Sequence, residues 1–238
     1  MAVPTIVGVG ALSPGITAPT LIALPAGIQA NDILVAYAET SGNTTVSVDQ
    51  GYAQVADSPQ LQGTSTAVHV YWKRATGADT GPTFTQDLNA NHIVGQIIAV
   101  RGCVASGDPW DVTAGSTDAV SSTSAVAPTD TTTVAEALVL AACATGWDAA
   151  IAQASGFSAP NLANVALTGI NGGTANGGGG TISVASGELA AAGSLGVMTF
   201  TLANSTSKAL HTLALKPVVG GGGGGGGGVG RRVALLLS

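Results

Sequence analysis

The chain has 238 residues, of which 45% are hydrophobic and only 8% charged, and its net charge is −6. The negative balance excludes a phosphate-neutralising surface for nucleic acid, and the charge content is about a third of that usual for soluble domains. A surface of Ser, Thr, Asn, Gly and Ala packs against neighbours without desolvating ions, which points to a protein that lives in an assembly or outside the cell.

The N-terminal MAVPTIVGVG has neither a basic residue nor a continuous apolar stretch, so no signal peptide is expected. No apolar run reaches the ~20 residues that a membrane span requires. Synthesis in the cytoplasm is therefore expected, with any exterior position reached by assembly. From there the chain alternates short runs rich in Val, Ile, Leu and Thr with clusters of Gly, Pro, Asn, Asp and Ser, the pattern of an all-β sandwich. Strands are predicted at 33–39, 67–74, 92–101, 135–144, 181–186, 196–202 and 209–216. In the second of these, alternation sets Val68, Val70 and Trp72 on one face and His69, Tyr71 and Lys73 on the other. Residues 93–100 are nearly all apolar, as expected of a strand covered on both sides. Residues 135–144 favour a helix by propensity, but the Thr-rich approach and Gly146 favour a strand. A weak internal echo, residues 31–36 against 135–140, suggests two related halves, as in a double Greek key or jelly roll.

Residues 167–180 carry so much glycine that they are expected to form a loop. Nine consecutive glycines, 220–228, then precede Val229-Gly230-Arg231-Arg232-Val233-Ala234-Leu235-Leu236-Leu237-Ser238. Polyglycine is costly to order and acts as a spacer. The division expected is a β-sandwich of jelly-roll type over 1–217 and an extended glycine-rich C-terminal arm over 218–238. In that arm Arg231, Arg232, Val233, Leu235, Leu236 and Leu237 are candidates for docking on a neighbouring subunit; a frayed tail or a last strand of the same body is the competing reading.

Catalytic chemistry has little to work with. His69, His92 and His211 all fall in predicted strands and are expected to be half-buried or surface strand residues. No Gly-x-Ser-x-Gly elbow, His-x-x-x-His, Cys-x-x-Cys or Asp-rich calcium loop is present. Asp108 and Asp111 look like a turn whose Asp caps its own backbone, a lone calcium site being the alternative. Cys103 and Cys143 could pair, but burial as two small apolar residues is favoured. No catalytic residue, metal or cofactor is therefore assigned. Trp110 and Trp147 fall in predicted loops, where they could stack on a glycan or pack over the end of the sandwich.

Several stretches, taken in order, resemble a known group. They are residues 30–36 (ANDILVA), 70–79 (VYWKRATGAD), 81–85 (GPTFT), 92–102 (HIVGQIIAVRG), Pro109, 131–140 (TTTVAEALVL) and 211–217 (HTLALKP). This order resembles the jelly-roll domains of tailed-bacteriophage virion structural proteins, the decoration, minor tail and fibre group, across about residues 1–217. The resemblance implies a virion part on the particle exterior and transfers no active-site residue. Its expected partners are other virion proteins, capsid or tail subunits, within a symmetric homo-oligomer. A compact body with a terminal arm fits a capsid decoration or cement protein. A tail-, fibre- or collar-associated adhesin, or a carbohydrate-binding module contacting host-surface glycans, is the alternative.

Overall fold

The computed structural model describes residues 2–16, 19–42, 44–87 and 91–218; the docking residues Arg231, Arg232, Val233, Leu235, Leu236 and Leu237 lie outside the described residues. The first half of the chain forms β1 (Thr5–Val9), β2 (Ser13–Gly15), β3 (Thr20–Leu21), β4 (Ile33–Thr40), β5 (Val46–Val48), β6 (Ala53–Gln54), β7 (Gln60–Gln62), β8 (Thr66–Arg74), β9 (Thr83–Gln86) and β10 (Ile93–Arg101). The second half forms β11 (Trp110–Ala127), β12 (Ala137–Thr145), β13 (Ala154–Ser158), β14 (Ala163–Thr174), β15 (Gly180–Leu189) and β16 (Met198–Leu215). All pairings are antiparallel, and no α-helix occurs among the described residues.

The core explains the apolar runs. A first sheet, in the order β1-β10-β4-β8-β6, packs face to face on a second, ordered β11-β16-β12-β15-β14. Ile33, Val35, Val70 and Ile98 of the first sheet meet Leu140, Val184 and Leu213 of the second in one cluster. The outer face of the first sheet, through Leu34, Ala36 and Ile97, is covered by Ile22, Val46 and Phe84 around a three-stranded layer, β3-β9-β5. The outer face of the second, through Val139, Ala141 and Leu210, is covered by Ala125, Met198, Phe200 and Leu202. Strands β4 and β12 are therefore buried on both faces along their whole length. Such strands read as continuous apolar sequence instead of alternation.

The two halves are threaded alike. The inner order β1-β10-β4-β8 of the first half recurs as β11-β16-β12-β15 in the second, and the outer order β3-β9-β5 recurs as the distal part of β11, the proximal part of β16, and β13. Even an irregularity repeats. β1 bulges between Ile6 and Gly8 opposite Val100 and Ala99, and β11 bulges between Trp110 and Val112 opposite Leu215 and Ala214. The same strand order therefore occurs twice in the chain, in antiparallel sheets packed as sandwich-like layers. The predicted strands at 196–202 and 209–216 belong to the single bent β16.

Two expectations need correction. Residues 167–174 are not loop but the end of β14, where Asn171, Gly172, Gly173 and Thr174 pair with β15; a glycine-rich segment is held there by a neighbour that supplies the ladder. Asp111 does not cap its own turn. It lies in β11 and accepts hydrogen bonds from the Thr133 and Val134 amides and the Thr133 hydroxyl.

Candidate functional site

Most buried polar groups bond within their own half of the chain, and a few contacts tie the two halves together. Glu39, at the end of β4 and inaccessible to solvent, accepts a bond from Thr66 Oγ1 at 2.9 Å and faces His92 Nε2 at 3.1 Å. The other ring nitrogen of His92 lies 2.7 Å from Asn91 Oδ1. The His92 pKa is raised, because its hydrogen bond and charge interaction with Glu39 outweigh the opposing effect of burial. Gly180 of β15 presses on this carboxylate so closely that a Cβ there would collide with it. His211 donates from Nε2 to the Ala56 carbonyl at 2.9 Å, and Thr113 donates to Asp57 at 2.6 Å. Lys208, also fully buried, donates to Asp118, to the Val120 carbonyl and to Ser122, closing the bend of β11. The three histidines are thus deeply buried, more so than strand placement suggested, because each sits beneath a second layer or a loop.

One place differs. On the outer face of the first sheet, between β5 and the β6–β7 segment, lies a cleft of about 170 Å³. His69 and Tyr71, consecutive outward residues of β8, line it from the sheet; Thr44, Thr45 and Val46 line one side and Gln54, Pro59 and Leu61 the other. None of these side chains is charged at neutral pH. Burial pushes the Tyr71 phenol up to about 12, so it stays protonated and donates to the Val46 carbonyl at 2.6 Å.

His69 is only 1% exposed, and burial lowers its pKa to about 4, so the ring is neutral at pH 7. Its Nε2 lies 3.1 Å from Thr40 Oγ1, whose own hydrogen goes to the Ser41 carbonyl at 3.0 Å. The hydroxyl therefore accepts, and Nε2 carries the ring proton. That leaves Nδ1 as a bare lone pair without a protein partner.

The sequence candidates fall elsewhere. Trp110 is half-buried and stacks edge-on against Trp72, with ring centroids 5.2 Å apart, while packing on the central cluster. Trp147 lies two residues beyond β12 at its opposite end. Trp110 pairs with Leu215, which also faces Leu138 near the start of β12. At ~3.3 Å per residue the two indoles are separated by more than about 20 Å along the sheet, so they form no common platform. Cys103 and Cys143 are free and buried in different clusters, one between the sheets and one outside the second. Among the described residues no group of three or more His, Cys, Asp or Glu is disposed to hold a metal. The alternation of β8 already placed His69 and Tyr71 together, but nothing in the sequence signals that β5 and β7 part above them. Comparison with protein-family models, curated proteins and solved structures finds no match to this chain.

Proposed function

We propose that this chain is a non-enzymatic structural protein of a bacteriophage virion exterior, a capsid decoration or cement protein anchored by its C-terminal arm. The observation that carries this reading is β11. It is an 18-residue strand at the edge of the second sheet, paired on one side by β16. Between Val112 and Ala127 its only charged residue is Asp118, and that carboxylate is engaged by Lys208. Free monomers guard such an edge with lysines, prolines or a covering element, since an open row of backbone donors and acceptors recruits other strands. An uncharged edge left available suits a protein whose neighbours complete it. The segment Val233-Ala234-Leu235-Leu236-Leu237, beyond nine glycines, has the composition of a strand that augments a sheet. Capsid subunits, or copies of the same chain in a symmetric oligomer, are the proposed neighbours.

The test is deletion of residues 229–238. The truncated protein should melt as the full chain does yet fail to join particles in a co-sedimentation assay, and cryo-EM of the native particle should show regular copies on the capsid. Normal incorporation without the segment overturns the anchor. Density confined to the tail or collar transfers the protein to the second reading, an adhesin, which the cleft beside His69 favours.

A further inference from the structure

We propose that the cleft over β8 is a binding site for a neutral, hydroxyl-rich ring, a single sugar unit, which donates a hydroxyl to His69 Nδ1. The repeated architecture gives an internal control. By strand register Tyr71 corresponds to Ala185, His69 to Ser183 and Val46 to Ala154, because each set pairs with equivalent residues of the neighbouring strands. Likewise Pro59, one residue before the Gln60–Val68 pair, corresponds to Asn171, one residue before the Gly172–Ile182 pair.

In the second half Asn171 closes the space. Its Oδ1 accepts from the Ser183 hydroxyl at 2.7 Å and the Ala154 amide at 3.2 Å, and its Nδ2 donates to the Ala154 carbonyl at 2.8 Å. In the first half the corresponding residue is proline, which has no polar side-chain atom. The space stays open, and the residue corresponding to Ser183 is a histidine whose Nδ1 lacks a protein partner. One half fills this position with its own amide; the other leaves an acceptor without a partner at the cleft wall, shielded from water, for a ligand hydroxyl to satisfy.

The lining selects the chemistry of the occupant. A bare imidazole lone pair needs a donor. The Thr44 and Thr45 hydroxyls and the Gln54 amide can exchange hydrogen bonds, while Val46, Pro59, Leu61 and Tyr71 offer apolar contact. That mixture matches a ring with polar edges and C–H faces. With no charged side chain in the lining, an ionic ligand would lose hydration without a counter-charge. A volume of about 170 Å³ holds roughly five waters at ~30 Å³ each, room for one pyranose.

The experiment uses the full chain labelled with ¹⁵N-histidine, titrated with the methyl glycosides of glucose, galactose and mannose and with N-acetylglucosamine. At least one should shift the unprotonated Nδ1 resonance of His69 saturably in the millimolar range. Binding should weaken about tenfold in His69→Phe, the value of one hydrogen bond. It should vanish in Leu61→Trp and in Thr45→Trp, two exposed positions where a large side chain plugs the cleft and leaves the core intact. If none of the four sugars moves the resonance, the cleft holds only water and the proposal fails. A shift that survives both tryptophan plugs places the sugar elsewhere and overturns it equally.

Discussion

Replacing His69 with Gln tests the assignment of a neutral, buried imidazole. Gln can still donate to Thr40 Oγ1 but does not titrate. In the unfolded chain His69 protonates around 6.5, whereas in the fold burial lowers that value to about 4. The folded state therefore binds fewer protons through this interval, and stability is lost as pH falls from 6.5 through about 4. At ~1.36 kcal/mol per pH unit, linkage makes the loss about 2 kcal/mol at pH 5 and about 3 kcal/mol at pH 4. Other groups titrate nearby. Burial also lowers His211, the Glu39–His92 pair acts in the opposite direction, and Asp32 and Asp79 lose their partners' help at acid pH. All of these are common to both proteins and cancel when the variant is subtracted. Urea unfolding at several pH values between about 4 and 7 should show the wild type losing stability relative to His69→Gln by these amounts. A difference that stays constant over that range would mean that His69 titrates normally, and the bare-acceptor geometry would be refuted.

Glu39→Gln should do the reverse. Burial raises Glu39 from 4.5 to about 7, so the folded state holds an extra proton and the wild type loses stability as pH rises from 4.5 through about 7. The variant should therefore melt higher relative to wild type at pH 8.5 than at pH 5.5, and no change in that difference counts against the buried-carboxylate account. Lys208→Met should cost about 1–2 kcal/mol, below the usual cost of breaking a buried pair because Asp118 is partly solvated and keeps water as a partner. That corresponds to a melting temperature lower by a few degrees, roughly 2–4 °C per kcal/mol for a chain of this size, measurable by calorimetry.

Much of the sheet framework was legible because its central strands are covered on both faces. Residues 33–39, 67–74 and 92–101 read as strands from their β-branched and apolar runs and lie within a residue of β4, β8 and β10. Strand β11 was not legible. Its Thr, Ser, Ala and Gly composition is what an exposed edge requires and looks like loop in isolation. The internal echo pointed to β4 and β12, which are indeed equivalent by topology, but in a register shifted by one residue. Aligning Asp32 with Glu136 sets Ile33 against Ala137, yet Ile33 faces the central cluster and Ala137 the outer one. A slip of one residue exchanges the faces of a strand, and apolar residues on both faces hide such a slip from sequence. The cleft depends on residues far apart in the chain, from Thr44 to Tyr71, and on the absence of a polar side-chain atom at Pro59. Neither is a local signal.

The repeat of one threading within one chain has a further consequence. Two identical subunits meeting sheet to sheet would be bound by a two-fold axis, so any change in one would appear in both. Joined by the short segment between Arg101 and Trp110, the halves meet at an effective concentration fixed by their tether and need no matching surfaces elsewhere. Each is then free to specialise. One has sealed its flank with an asparagine and extended an edge strand outward, while its counterpart has left a door ajar beside a histidine.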